Sequence, residues 1–243
     1  MVMRRIFKLY RILSNPYFYN ALAKGVAAGV EHLHLLRHIS CNYVVDIGAN
    51  RGQFALVARK SFPQARIVSF EPLAEPANLF RRVFQSDPSV ILHECAVGPR
   101  EQEAVIHVST ADDSSSLLPI SSAQTSLFPG TGEKETRAIQ VKPLDSVLRA
   151  ADIQKPALLK MDVQGFELQA LEGCRSLLPS FSYVYVECSF VELYSGQSLA
   201  HEIIDFLKTF GFILSGVYNV YHDKKGMAVQ GDFLFRKKDI GNK

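Results

Sequence analysis

The stretch Tyr43-Val44-Val45-Asp46-Ile47-Gly48-Ala49-Asn50-Arg51-Gly52 decides the fold. It begins as a short apolar run that ends in an acid and then a glycine. Helical spacing follows at once, from Phe54 to Lys60. An unbroken apolar run of this length reads as a strand buried on both faces. Gly48 and Gly52 let the chain turn tightly and bring backbone close to a ligand. Strand, glycine turn and helix in that order open a βαβ unit.

The same rhythm continues outward. Arg66–Phe70 is a second strand, Leu79, Phe80, Val83 and Phe84 mark a helix, and Val90–His93 starts a third strand. Ala157–Asp162 is a fourth strand, followed by a helix from Glu167 to Leu177 that stops near Pro179. Tyr183–Glu187 is a fifth strand. A helix from His201 to Phe210 is closed by Gly211, a usual C-cap residue. Phe212–Leu214 and Asp232–Phe235 are the last two strands, with Tyr218–Gln230 read as a loop. This alternation predicts an α/β domain with a mostly parallel sheet and helices on both faces. Residues 101–140 break the rhythm after strand three. They hold an alternating segment, Ala104–Val108, then Ser114-Ser115-Ser116, Ser121-Ser122, Pro129, Gly130 and Gly132. We read them as an insertion of a strand or two with a long loop, Ile139–Val141 pairing with it. A loop so long is usually functional or disordered.

Composition narrows the class. The 243 residues suit one domain with a single core. With 47% apolar and 21% charged residues the chain is ordinary for a soluble protein. A net charge of +3 demands no nucleic-acid partner. No apolar run approaches the about 20 residues of a membrane span. Cys41, Cys95, Cys174 and Cys188 lie far apart without metal or redox spacing, as buried thiols of a cytoplasmic protein do. Arg4, Arg5, Lys8 and Arg11 are interleaved with Ile6, Phe7, Leu9, Tyr10, Ile12 and Leu13. Residues 1–40 therefore read as a basic amphipathic helical segment before a domain at 41–240. Packing against that domain is the simpler expectation, and weak contact with an anionic membrane surface the alternative.

Ligands of an open parallel sheet bind at the carboxyl ends of the strands. The turn after strand one lacks the G-K-[ST] of a P-loop and does not match G-x-G-x-x-G. Asp46 would repel a pyrophosphate, whereas the ammonium and sulfonium of S-adenosylmethionine would be attracted to it. Glu71 ends strand two, 19 residues after Gly52, where a carboxylate can accept both hydroxyls of a ribose. Ala96 and its neighbours at the end of strand three can line an adenine pocket. Singly, each is an ordinary turn residue or surface acid; together they mark three successive strand ends.

These residues resemble the FkbM family of methyltransferases. The resemblance rests on Val45–Gly52, Phe70-Glu71-Pro72, Ala96-Val97-Gly98, Leu144-Asp145 and Lys160-Met161-Asp162-Val163-Gln164-Gly165-Phe166-Glu167. Leu171-Glu172-Gly173, Val186-Glu187 and Gly231–Phe235 extend it, so that it spans about residues 42–236. Gln164 departs from the family, which often has Glu there; this argues against a required charge. The resemblance implies a class I methyltransferase (Rossmann-like) fold, seven strands with the last antiparallel. It also implies transfer of a methyl group to a hydroxyl of a sugar or other small natural product. Asp46, Gly48, Asn50, Glu71 and Ala96 become cofactor positions, with Gly52 closing their turn. A nicotinamide-dependent oxidoreductase and a non-catalytic nucleotide-binding module on the same fold are the competing readings.

For catalysis, Asp162 at the end of strand four is the first choice to orient a hydroxyl or take its proton, with helix capping as the alternative. Glu187 beside it is the expected partner. Two carboxylates can hold a metal, but no third ligand has clear spacing, and no metal is expected. His222 is a further base candidate, set against a solvated loop histidine. Glu167 reads as a helix-start residue, and His93, His107 and His201 as structural. Asp112, Asp113 and Ser114–Ser116 suggest a lid over a polyhydroxylated acceptor, or else a disordered loop.

Overall fold

The computed structural model describes residues 2–238, apart from the side chains of residues 2–5 and 112. The side chains of Arg4, Arg5 and Asp112 and residues 239–240 of the expected domain thus lie outside the described residues. The chain opens with α1 (Val2–Leu13), α2 (Pro16–Ala23), a 3-10 turn at Val30–His32 and α3 (Leu33–Leu36). Asn15 accepts the Tyr17 N–H and Pro16 sits in the first turn, which fixes the start of α2. α1 buries Ile12 and exposes Ile6, Phe7, Leu9, Tyr10 and Leu13, while Lys8 pairs with Glu31 at 3.0 Å.

The βα rhythm follows: β1 (Tyr43–Ile47), α4 (Gln53–Ser61), β2 (Arg66–Phe70), α5 (Ala74–Phe84) and β3 (Val90–His93). Next come β4 (Ala96–Val97), β5 (Gln102–Ser109), α6 (Ser122–Leu127) and β6 (Glu133–Lys142). The last third holds β7 (Ala157–Met161), α7 (Glu167–Gly173), β8 (Tyr183–Ser189), α8 (Ala200–Thr209), β9 (Phe212–His222) and β10 (Ala228–Lys237).

Seven strands form one sheet in the order β3-β2-β1-β7-β8-β10-β9. β10 runs antiparallel to both its neighbours, and the pairs from β3 to β8 are parallel. This is the mostly parallel sheet the sequence predicts. All five residues of β1 and of β7 are buried, because helices cover both faces. Alternate β1 residues divide between two cores. Tyr43, Val45 and Ile47 pack towards α7 and α8, and Val44 packs towards α2, α4 and α5. Each large apolar side chain so buried contributes roughly 1.5–3 kcal/mol.

Three details differ from the sequence reading. The helix after strand four ends at Gly173, short of Leu177. A Cβ at Gly173 would sit 2.2 Å from the Gly98 carbonyl oxygen, so the helix end is pressed against the turn after β4. The insertion is more ordered than a long loop. β4, β6 and β5 form a second sheet, and between β5 and β6 lie a 3-10 turn at Asp112–Ser114 and α6, capped by Ser121. The presumed loop 218–230 is mostly a long hairpin. Its turn is short because Asp223 accepts the N–H groups of Lys225 and Met227, and Gly226 takes φ +83°.

Candidate active site

β1 is flanked by β2, which leads back to β3, and by β7, which leads on to β8. The strand order reverses here, and a crevice opens at the carboxyl ends. A cavity of about 250 Å³ occupies it. Gly48 lines the cavity with φ +77°, and a Cβ there would lie 1.8 Å from the Asp162 carbonyl oxygen. Its smallness lets the ends of β1 and β7 meet. Gly52 does not line the cavity. Its missing Cβ faces Phe84 and Phe80 at 2.7 and 2.9 Å, so its φ of +93° and its smallness serve helix packing and not approach to a ligand.

Asp46 needs a similar correction. It is 0% exposed and lies beneath the cavity rather than on its wall. The cation it meets is the protein's own Lys160, 3.2 Å away and its register partner on β7. Burial pushes the Asp46 carboxyl up against the attraction of Lys160. Burial would lower the Lys160 ammonium, but Asp46, Asp162 and Asp232 outweigh it and hold the value up. Lys160 therefore stays charged. It lines the cavity, donates to the Gly48 carbonyl (3.1 Å) and stands 3.9 Å from Asp162 Oδ2.

Glu71, Asn50 and Ala96 all line the same cavity. Glu71 Oε2 accepts the Asn50 N–H and Oε1 the Leu73 N–H, both at 2.9 Å. Burial pushes its carboxyl up to about 7. Asn50 adopts φ +46°, and its Oδ1 is buried without a hydrogen-bond partner among the described residues, as is Gln53 Oε1 nearby. Ala96 packs with Leu73, Ile106 and Leu117 into an apolar wall.

Asp162 follows β7, and Glu187 lies within β8, two residues short of its end. Gln164 joins them. Its Nε2 donates to Asp162 Oδ1 (2.7 Å) and to Glu187 Oε2 (3.1 Å). Its Oε1 accepts the Tyr194 hydroxyl (2.7 Å), and its carbonyl accepts the Ser116 hydroxyl (2.6 Å). Gln230 Nε2 donates to the other Glu187 oxygen at 2.8 Å. Burial first, then repulsion from Asp162 and Asp232, lifts the Glu187 carboxyl well above its ordinary range. Glu167 accepts the Val163 and Gly165 N–H groups, which braces the loop around Gln164. Burial pushes it up to about 7. Asp162 does not cap α7; the cap position is Phe166.

A second, polar cavity of about 320 Å³ lies on the far side of Gln164. Asp113, Asp162 and Gln164 line both cavities, so the two meet there. Five of the residues lining the second cavity come from the insertion: Asp113, Ser114, Gln124, Phe128 and Thr131. His222 ends β9, is exposed and lines neither cavity.

Two groups that line the first cavity have no site role in the sequence reading. His32, from the N-terminal segment, lines the first cavity. Its Nδ1 lies 3.0 Å from the Tyr185 hydroxyl, which donates to Asp232 at 3.0 Å; Asn219 donates to the same Asp232 oxygen at 2.7 Å. Nothing in the local pattern around His32 marks it. Lys160 does carry a signal. A lone cation in a wholly buried strand needs an acid, and Asp46 is the lone acid in the other.

Comparison with known proteins agrees with this architecture. A methyltransferase FkbM domain matches residues 46–214. The chain is 28% identical over 208 residues to the 2-O-methyltransferase NoeI of Sinorhizobium fredii, covering 81% of this chain and 80% of that protein. It is 26% identical over 144 residues to the hexuronic acid methyltransferase AglP of Haloferax volcanii, covering 58% and 54%. Among solved structures, a Klebsiella pneumoniae protein provisionally assigned as an O-methyltransferase superposes with TM-score 0.52. That match has 15% identity and covers 96% of both chains, which supports the class I methyltransferase fold. The chain belongs to the FkbM methyltransferase family.

Proposed function

We propose that this chain is an S-adenosylmethionine-dependent O-methyltransferase for a small polyhydroxylated acceptor, with the cofactor in the first cavity and the acceptor in the second. The observation that carries the reading is the meeting of the two cavities at Asp162 and Gln164, with Glu187 one hydrogen bond away. The relatives named for 2-O-methylation and for hexuronic acid support a hydroxyl of such a molecule as the target. Membership of a methyltransferase family sets aside the nicotinamide alternative.

The first cavity suits this cofactor chemically. Its lining carries Glu31, Glu71, Asp113 and Asp162 against Lys8 and Lys160, an excess of carboxyl groups that a sulfonium and an ammonium would balance. Glu71 offers its remaining lone pairs to ribose hydroxyls. The buried Asn50 Oδ1 and Gln53 Oε1 await donors. Leu73, Ala96, Ile106 and Leu117 offer an apolar face to a base. Bound there, the cofactor supplies an electrophilic methyl group.

The protein's own part is alignment and proton removal. Asp162 lines both cavities and would accept the proton of an acceptor hydroxyl held beside it, with the methyl group to be supplied by the cofactor that the first cavity would hold. Gln164 fixes the Asp162 carboxylate by its 2.7 Å bond. Glu187, its carboxyl raised by burial, holds the Gln164 amide from the other side through the 3.1 Å bond. Alignment alone can supply up to about 7–11 kcal/mol, and the base about 10²–10⁴-fold. Asp162→Asn should therefore lose about 10²–10⁴-fold in kcat while retaining affinity for S-adenosylhomocysteine. Unchanged turnover in that variant would remove Asp162 from the reaction.

A further inference from the structure

The second cavity is polar, acidic and without a cation in its lining. Asp113 and Asp162 supply carboxylates, Glu187 adds a carboxyl that burial pushes towards its neutral form, and no Lys, Arg or His is among the described residues that line it. Three side-chain amides, Gln124, Gln164 and Gln230, line it as well. Gln230 spends one N–H on Glu187. Gln124 is 3% exposed, and its Oε1 is buried without a partner among the described residues. The ring of Phe128 lines the cavity as well, held at 4.7 Å from that of Tyr221.

We propose that this cavity selects a neutral sugar ring and rejects a uronic acid. The proposal rests on the second cavity being the acceptor side of the methyltransferase described above. Hydroxyl groups are the natural complement of such a wall. They donate to carboxylates and to the orphaned Gln124 oxygen, and they accept from the Gln124 and Gln230 amides. The apolar C–H face of a pyranose packs on Phe128. A uronate adds an anion to a space that already faces the Asp113 and Asp162 carboxylates, and its own carboxylate finds no basic partner among the described residues there. On this point the chain departs from AglP, the relative named for hexuronic acid. Gln124 and Asp113, both from the insertion, are the specificity-determining positions.

Calorimetry of the full chain with S-adenosylhomocysteine comes first, because its failure sinks the cofactor reading independently of any acceptor. Methyl transfer from labelled S-adenosylmethionine is then compared for methyl glucoside, methyl fucoside and methyl glucuronoside. The neutral glycosides should exceed the glucuronoside by about 100-fold in kcat/KM, as expected for an uncompensated like charge. Gln124→Arg should move that ratio at least tenfold toward the glucuronoside without changing affinity for S-adenosylhomocysteine. Should Gln124→Arg not fold, Asp113→Asn, at an exposed position, should move the ratio the same way by a smaller factor. Equal or preferred use of the glucuronoside overturns the proposal. So does a ratio that stays fixed in the folded variants, or transfer to none of the glycosides by protein that binds S-adenosylhomocysteine.

Discussion

Replacing Gln164 by Glu changes one NH2 into an oxygen and leaves the shape almost intact. In the native protein that NH2 donates to Asp162 at 2.7 Å and to Glu187 at 3.1 Å. Hydrogen bonds to charged groups contribute about 1.5–3 kcal/mol each, so up to roughly 6 kcal/mol is at stake if the introduced carboxyl ionises. The protein has a cheaper course: the introduced carboxyl keeps its proton, which restores a donor. With an unfolded pKa of about 4.3, holding that proton costs about 4 kcal/mol at pH 7.5 and about 1.6 kcal/mol at pH 5.5. The direction follows from the raised folded value. Stability is present in full below pH about 4.3 and is lost as pH rises towards the folded pKa, at about 1.4 kcal/mol per unit. Urea denaturation of Gln164→Glu and native protein at pH 5.5, 6.5 and 7.5 should show a deficit that widens with pH. A deficit that is absent, or constant across this range, refutes the bridging role assigned to the Gln164 amide.

Two further outcomes follow from the buried charges. Lys160→Met leaves Asp46 buried without its cation and should cost about 3–5 kcal/mol at pH 8, with the cost shrinking as the pH falls because burial already favours the neutral Asp46 carboxyl; a native melting temperature at pH 8 would refute the pairing. Glu71, raised to about 7, must ionise to serve ribose hydroxyls best, so affinity for S-adenosylhomocysteine should fall about tenfold per pH unit below 7 and level off above it. A flat calorimetric profile from pH 5.5 to 8.5 would show that Glu71 is not the acceptor.

The sheet was legible because its strands carry period and punctuation. Buried runs such as Tyr43–Ile47 and Ala157–Met161 end in an acid or a glycine turn, and few other structures produce that pattern. The hairpin of β9 and β10 was underestimated because its β9 half is largely half-buried or exposed and mixes polar with apolar residues. The site was partly legible. Residues at strand ends fall where topology dictates, which brought Gly48, Asn50, Glu71, Ala96 and Asp162 to one crevice. Asp46 and Lys160 each stand out as the lone charge of a buried run, but strand register alone joins them. Asp46 and Lys160 become partners through register across two strands, a relation more than a hundred residues apart. His32 and Gln124 were invisible for the same reason, since each reaches its cavity by tertiary packing rather than by motif.

The stretch shared with the family, residues 46–214, is not a unit that builds the cavities. Gly29, Glu31 and His32 wall the first cavity from before it, and Gln230 closes the second from beyond it. β10 also lies past its end, inserted between β8 and β9. A fragment trimmed to those limits would leave β8 as a bare edge with Val184 and Val186 stripped of cover, a template for aggregation. Heredity and architecture thus draw different borders through this molecule. The flanks therefore share in shaping both cavities, although the family's common stretch contains neither residues 29–32 nor Gln230.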